Sequence, residues 1–427
     1  MNTAMNTCIL VLNCGSSSIK FALFDASRQP LPRSPIWGGK IEGIGGPQAT
    51  HSETGQPPVG LSLDPANPYH AALEHIERRV LAQPGAQHLA AVAHRVVHGG
   101  AKYFEPVAVN TQVLADLREY IPLAPLHQPF ALEAIEALLE RQPHLLQVAC
   151  FDTAFHHTLP QVEQMLPLPY AAWERGLRRY GFHGLSYAYQ ALVLPERHGD
   201  VARGRTVVAH LGSGASLCAM NDLKSVATTM GFSALDGLMM GTRCGALDPG
   251  AVIYLMEIEK LSLQQVAHVL YHESGLLGVS CLSSDPRVLL AHEASDERAR
   301  AALDLYVRRI VREIGALVAV QGGLDLLAFT AGIGEHNAEI RSRICRQLGF
   351  LGLRLDEAAN LRHEACISAP DSTVRVAVEP ANEEWVAARA AALLVGVAVD
   401  AAEASHLGSS QTSIPTAFPL RCGPNSR

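Results

Sequence analysis

At 427 residues the chain is long enough for two or three domains, each with a full core. Its 48% hydrophobic and 18% charged residues are ordinary for an α/β protein, and a net charge of −7 with no basic run interleaved with aromatics argues against a nucleic-acid surface. No apolar stretch is built to span a bilayer, since Gly315–Gly332 is broken by Gln321 and Asp325 and Ala387–Val399 is too short.

In chain order, Cys8–Leu23 (CILVLNCGSSSIKFAL) reads as a buried strand with a polar Asn13, a Gly-Ser-Ser-Ser turn and a second apolar strand. The preceding MNTAMNT has no basic segment, so no signal peptide is expected. Arg28–Pro68 is rich in Pro and Gly and reads as an irregular excursion with one short strand pair. Leu73, Ile76 and Val80 have the spacing of a one-sided helix over Tyr69–Leu81. Leu89–Val97 is a strand with Arg95 and His98 at its C-terminal end, the end at which parallel sheets bind ligands. Val113, Leu114, Leu117 and Ile121 mark a helix, Pro122–His127 a stiff loop, and Gln128–Arg141 an amphipathic helix. Gln147–Phe151 is a buried strand that delivers Asp152 at its tip. An irregular Thr158–Arg178 then leads into RRYGFHGLSY (Arg178–Tyr187), a loop entering a helix.

Val207–Met220 (VVAHLGSGASLCAM) repeats the strand–turn–strand pattern of the N-terminus. Glycines on both sides of Ser213 permit a tight turn and let backbone amides approach an anion, phosphate above all. Thr228–Gly250 is a Gly- and Met-rich loop, and Ala301–Val320 a strong one-sided helix. Asp325–Glu335 (DLLAFTAGIGE) is a strand whose Gly-x-Gly turn opens a helix. Thr373–Val378 is a last strand and Asn382–Val399 a last helix, N-capped by Asn382 with acidic residues in its first turn. His406–Arg427 has the composition of a disordered tail. The order βββ-αβ-αβ occurs twice, which predicts an α/β fold of two duplicated lobes around a cleft. The boundaries expected are 1–154, completed by a helix at 384–403, then 155–383, with 404–427 belonging to neither.

Strand tips and loops carry Asn13, Arg95, Asp152, His183, Arg243 and Glu383. Taken singly each has a structural reading: ion pairs for the arginines, a turn or cap for Asp152, a packed imidazole for His183, helix-dipole compensation for Glu383. Together they fit phosphoryl transfer, which needs positive charge around the migrating group and a carboxylate or amide to hold Mg²⁺. Walker A and protein-kinase motifs are absent, so the hairpin turns would hold the phosphates. Nine scattered cysteines without a C-x-x-C pair or metal-ligand spacing suggest a reducing cytoplasm.

As an ordered set, NCGSSSIK, HRVVHGG, PLHQP, FDTAFH, RRYGFHGLSY, HLGSGAS, MMGTRCG, SSDPR, FTAGIGE and NEE resemble the acetate kinase family, whose near relatives are the propionate kinases. The resemblance runs from about Cys8 to about Val399. It implies the actin-, sugar-kinase- and Hsp70-like duplicated fold, a homodimer, ATP/ADP as substrate, and Mg²⁺ with Mn²⁺ as a substitute. The implied acceptor is acetate; alternatives are propionate or another short-chain carboxylate and, more distantly, a nucleotide-driven binding protein of the same fold. Carried over by position, Asn13 and Glu383 match the metal residues and Arg95 the substrate arginine. Asp152, His183 and Arg243 match the catalytic residues. His210, Leu211, Gly212, Ser213 and Gly214 match the ATP-phosphate loop. Asp285, Pro286 and Arg287, with Gly332, Ile333, Gly334, Glu335 and His336, match further nucleotide contacts. Val97, Leu126, Phe182 and Ala234 match the pocket for the acyl methyl group. Departures are Ser213 and His336, each where Asn is frequent, Ala234 where Pro is frequent, and Ala381 where Thr is frequent.

Overall fold

The computed structural model of the chain describes residues 7–83, 88–125 and 127–396. Strand β1 (Cys8–Cys14) is buried along nearly its whole length and pairs antiparallel with β2 (Ser18–Asp25) across the serine turn, Leu12 opposite Phe21. Three short strands, β3 (Trp37–Glu42), β4 (Ala49–Glu53) and β5 (Val59–Leu61), extend the sheet beyond β2. On the other side of β1 lie β6 (Leu89–Val96), a short β7 (Val107–Ala108) and β8 (Leu146–Phe151). β6 and β8 run parallel to β1, and β7 lies antiparallel at the edge. The second sheet holds β9 (Thr206–Leu211), β10 (Ala215–Asn221), β11 (Lys224–Thr228), β12 (Leu326–Thr330) and β13 (Arg375–Val378), in the order β11-β10-β9-β12-β13. That order, with the same strand directions, repeats β3-β2-β1-β6-β8. The duplicated α/β fold predicted from the two hairpins is the fold observed.

Two stretches differ from expectation. Arg28–Pro68 contributes three strands where one short pair is predicted. Gly38 and Gly39 weaken the strand pattern of β3 in the sequence. In the sheet, a Cβ on Gly39 would lie 2.1 Å from the Ser52 carbonyl oxygen and 2.9 Å from the Phe21 ring, so the close approach of β4 requires glycine. Between 249 and 292, helices Pro249–Glu257, Leu263–His272, Gly275–Ser280 and Pro286–His292 add to the predicted set. The long helix starts earlier than its apolar face suggests, at Glu297, because the Asp296 carboxylate accepts the N–H groups of Arg298 and Ala299; it ends at Gly322 (φ 77°).

The helix Gly184–His198 serves both sheets. Leu185, Tyr189 and Val193 pack with Ile9, Val11 and Ala388 of the first lobe, while Tyr187 and Leu194 pack with Val208, Cys218 and Leu326 of the second. After β13 the chain returns to the first lobe as the helix Glu383–Leu394, shorter than the predicted 382–399. The predicted 404–427 tail and the end of the 384–403 helix lie outside the described residues, as does Leu126. Asn382 caps the returning helix by accepting the Trp385 N–H at 3.1 Å, and its amide donates to the Arg33 carbonyl at 2.8 Å. The Trp385 indole N–H donates to the Leu31 carbonyl at 3.1 Å, and its ring meets Tyr189 edge-on.

Trp385 therefore ties the returning helix to both the first lobe and the bridging helix. Trp385→Ala should cost about 3–5 kcal/mol, the usual range for truncating a buried aromatic. Urea denaturation followed by far-UV circular dichroism measures it. A loss below about 1 kcal/mol, the size of a single hydrogen bond, would show that this contact does not hold the helix in place.

Candidate active site

Parallel pairing brings the C-terminal ends of β1, β6 and β8 together, with Leu12 opposite His94 and Val96 opposite Phe151. Register alone thus sets Asn13, Arg95 and Asp152 at one sheet edge. Arg95 grips Asp152 as a fork: Nε donates to both carboxylate oxygens at 3.0 and 3.1 Å, and Nη2 to Oδ2 at 2.6 Å. Its Nη1 lies 3.5 Å from Oε2 of Glu383, in the first turn of the returning helix. Burial raises the Asp152 carboxyl above its ordinary range, with Glu383 adding to the effect and the Arg95 fork pulling the other way.

The Asp152 carbonyl accepts the N–H of Gly184 at 2.8 Å, and a Cβ on Gly184 would stand 2.3 Å from that oxygen. His183 just before it has φ 59°, a left-handed conformation that costs a non-glycine residue of order 1–3 kcal/mol. This backbone sends the imidazole into a built surround. Nδ1 lies 2.8 Å from Ser216 Oγ, and the ring stacks on His210 with centroids 4.1 Å apart and planes at 15°. His210 Nδ1 is in turn 2.9 Å from Ser186 Oγ, and the Tyr187 hydroxyl is 2.5 Å from Ser216 Oγ. All three supporting hydroxyls lie inside the motifs RRYGFHGLSY and HLGSGAS, but none is assigned a role from the sequence. Hairpin register is the signal that could have found Ser216, which pairs directly with His210 across the turn.

His183 Nε2 and Arg243 Nη2 converge on the second hairpin turn, 3.1 and 3.5 Å from where a Cβ on Gly214 would stand. Arg243 is aimed by a 2.8 Å hydrogen bond from Nη1 to the Ala234 carbonyl and meets no carboxylate among the described residues. Ala234, Val97 and Phe182 join a single apolar cluster beside it.

The three predicted nucleotide segments meet around a cavity of ≈ 360 Å³. Gly212, Ser213, Asp285, Pro286, Arg287, Gly332, Ile333 and His336 line it, together with Ser284 and Asn337. The other nucleotide candidates point elsewhere. The Leu211 side chain is fully buried in the core, and His210 is stacked on His183. Gly214 lies beneath His183 and Arg243, and Glu335 Oε1 accepts the Ala381 N–H at 2.9 Å. Gly334 faces inward, where Arg341 holds it. Arg341, missed in the sequence, is fully buried; its Nη1 donates to the carbonyls of Gly334 and Glu335, each at 2.8 Å. Its Nε and Nη2 bond Asn360, so a guanidinium fixes the Gly334–Glu335 turn from behind. In the helix Ala338–Gln347 it reads as one more surface arginine, and only its burial distinguishes it.

Among the described residues no group of three His, Cys, Asp or Glu side chains is placed to hold a metal. Of the residues predicted to hold a metal, Asn13 can offer an amide oxygen and Glu383 a carboxylate, the latter 3.5 Å from Arg95 Nη1. So sparse a set suits Mg²⁺, which keeps waters and takes its remaining ligands from substrate phosphates.

Residues 8–389 match the Acetokinase family. The chain belongs to that family. It is 50% identical over 392 residues to the acetate kinase of Rhodopseudomonas palustris strain TIE-1, covering 90% of this chain and 98% of the relative. Among solved structures it is similar to the acetate kinase of Porphyromonas gingivalis (37% identity, TM-score 0.80) and to a propionate kinase from Francisella tularensis (34% identity, TM-score 0.83). Each alignment covers 90% of this chain and 98% of the other. Ser213 and His336, the two predicted nucleotide residues that depart from the resemblance, both sit at the cavity wall, where Ser213 is exposed and the His336 side chain is 74% exposed.

Buried histidines crowd this acetokinase-family site. Burial lowers His94 to about 4, His98 to about 3, His156 to about 4 and His210 to about 3, and holds His183 well below its ordinary value. An unfolded chain protonates histidine near pH 6.5. Below that pH the unfolded state binds protons that the folded state does not, so stability falls as pH falls, with the loss accumulating until the folded values of about 3–4 are reached. Each of His94, His98, His156 and His210 should contribute on the order of 2 kcal/mol of loss at pH 5, and His183 adds a loss of the same sign. The thermal unfolding midpoint should therefore drop steeply between pH 7 and pH 5. A midpoint that stays level over this range would mean that the imidazoles take up protons in the folded protein.

Proposed function

We propose that this chain transfers the γ-phosphoryl group of ATP reversibly to acetate, giving acetyl phosphate and ADP by direct in-line transfer. The observation that carries the reading is the convergence of His183 Nε2 and Arg243 Nη2 over the Gly214 turn, beside the Arg95–Asp152 fork. ATP occupies the ≈ 360 Å³ cavity, and its phosphates follow the Gly212–Gly214 amides toward that convergence. Acetate sits with its carboxylate toward Arg95 and its methyl among Val97, Phe182 and Ala234, with Leu126 assigned there by resemblance alone. Similarity to a protein named acetate kinase at 50% identity supports acetate over propionate as the acceptor.

Acetate is already ionised near pH 7, so its oxygen attacks without a general base. Asp152, locked in the fork, orients Arg95. The Tyr187 hydroxyl donates to Ser216, Ser216 donates to His183 Nδ1, and the neutral His183 thereby presents its Nε2 proton to a phosphoryl oxygen. Arg243 supplies positive charge to the same oxygens as charge moves onto them. Mg²⁺, held through Glu383 and Asn13, would neutralise phosphate charge.

Two finer points belong to the same proposal. The lobes comprise 1–154 with the 384–403 segment, and 155–383. The protein is a cytoplasmic homodimer: the helix Pro249–Glu257 has no buried residue and exposes Ile253, Tyr254 and Met256, with Ile258 and Leu263 exposed beyond it, an apolar face that a second copy would cover.

Purified protein should form acetyl phosphate from ATP and acetate, trapped as the hydroxamate. Arg243→Ala should lower kcat about 10²–10³-fold, the usual loss for one transition-state donor, with an unchanged melting temperature. No product from the wild type would sink the reading, and near-normal turnover in the variant would remove Arg243 from the site. Asp152→Asn should lose activity without adding an acidic limb to the pH–rate profile. If the wild type instead shows one ionisation in kcat that Asp152→Asn abolishes while turnover remains measurable, Asp152 acts as a general base.

A further inference from the structure

Between the loop after β6 and the segment following Asp152 lies a second cavity, of ≈ 200 Å³, sharing no lining residue with the nucleotide cavity. Its walls come from both lobes. Phe104, beyond β6, stacks on His157 at 5.6 Å with planes at 20°. On the other side, Arg179 and Thr158 are anchored to carbonyls of β11. Arg178, Arg179, Gln164 and Tyr180 complete the wall, and no acidic residue lines it. Asp236 lies 3.5 Å from Arg179 Nη1 outside the lining, so it is Arg178 whose charge the cavity leaves open to an anion.

The two arginines are in different states. Arg179 is occupied, since its Nη1 donates to the carbonyls of Thr228, Thr229 and Met230 at 3.0–3.2 Å. Arg178 has no carboxylate partner among the described residues, and its Nε is buried without a hydrogen-bond partner. Its guanidinium is held 4.2 Å above the Trp173 ring, which fixes the plane of the fork and leaves its donors unclaimed. The same lack of a carboxylate marks Arg243, the arginine assigned to the phosphoryl group.

We infer that this interlobe cavity binds a small organic anion, whose carboxylate or phosphate oxygens take the Arg178 fork and whose compact body lies between Phe104 and Tyr180. A rigid guanidinium pairs two oxygens at once, which a lysine ammonium cannot do. Because the walls come from both lobes, occupancy favours one lobe arrangement over others, which makes this a regulatory site. The inference does not depend on the kinase reading.

The test is calorimetric titration of the full-length protein with succinate and, separately, with glycerol 3-phosphate. The first site is kept filled throughout with Mg²⁺, β,γ-imido-ATP and acetate. Saturable one-to-one binding of at least one probe is expected, and the probe that binds tells carboxylate from phosphate. Arg178→Gln should weaken it at least tenfold with an unchanged melting temperature. Arg178→Lys, which keeps the charge and loses the fork, should weaken it at least threefold and decides the matter if the Gln variant does not fold. The proposal is overturned if neither probe binds to the filled protein, or if the variants bind as the wild type does.

Discussion

The hydrogen bond from the Gly184 N–H to the Asp152 carbonyl is the contact on which the rest of the site depends. It joins the tip of a strand in the first sheet to the start of the helix that both lobes share, at a separation with no room for a Cβ. Asp152 and His183 thereby become parts of one rigid corner. The left-handed backbone of His183 is retained because its surroundings over-determine it: stacking on His210, the Ser216 hydroxyl and the Tyr187 phenol behind it all select the same ring position.

Charge around that corner is divided by the same packing. Arg95 is matched by Asp152 and Glu383, so its charge is compensated within the protein. Among the described residues Arg243 has a carbonyl partner and no carboxylate, so its charge is not compensated there. Burial and the neighbouring arginines keep His183 and His210 neutral, so they act as hydrogen-bonding groups and add no further positive charge. A phosphoryl group at Gly214, where the proposed reaction would bring it, would meet one arginine without a carboxylate partner among the described residues and one neutral imidazole. Two protonated histidines stacked at 4.1 Å would repel each other, which is a further reason for their neutrality.

Duplication explains why the two proposed binding ends are built alike yet carry different residues. In each lobe a glycine-containing turn links the first two strands, and polar residues gather at the ends of the parallel strands. In the second lobe the turn after β12 carries Ala331 at φ 64° and is held from behind by the Arg341 guanidinium. In the first lobe the corresponding strand end carries Arg95, whose partners come from β8 and from the returning helix.

Local physics was sufficient for much of this protein. Apolar runs broken by Gly-Ser turns determined both hairpins, the 3.6-residue period determined Gln128–Arg141 to the residue, and the repeated element order determined the duplicated fold. The ordered motifs also carried most of the candidate site. Tertiary structure decided what depends on partners distant in sequence. It made three strands of Arg28–Pro68, where only the approach of β4 explains Gly39. It sorted the nucleotide candidates into those lining the cavity, such as Ser213 and Arg287, and those turned into the core, such as Leu211. It also separated Arg341, clasping carbonyls, from Arg178, whose Nε has no partner among the described residues, although both are simply arginines in the sequence. A turn or a helix face is set by neighbours a few residues away, whereas a side chain's charge state and hydrogen-bond partners are set by groups that only folding brings within 3 Å.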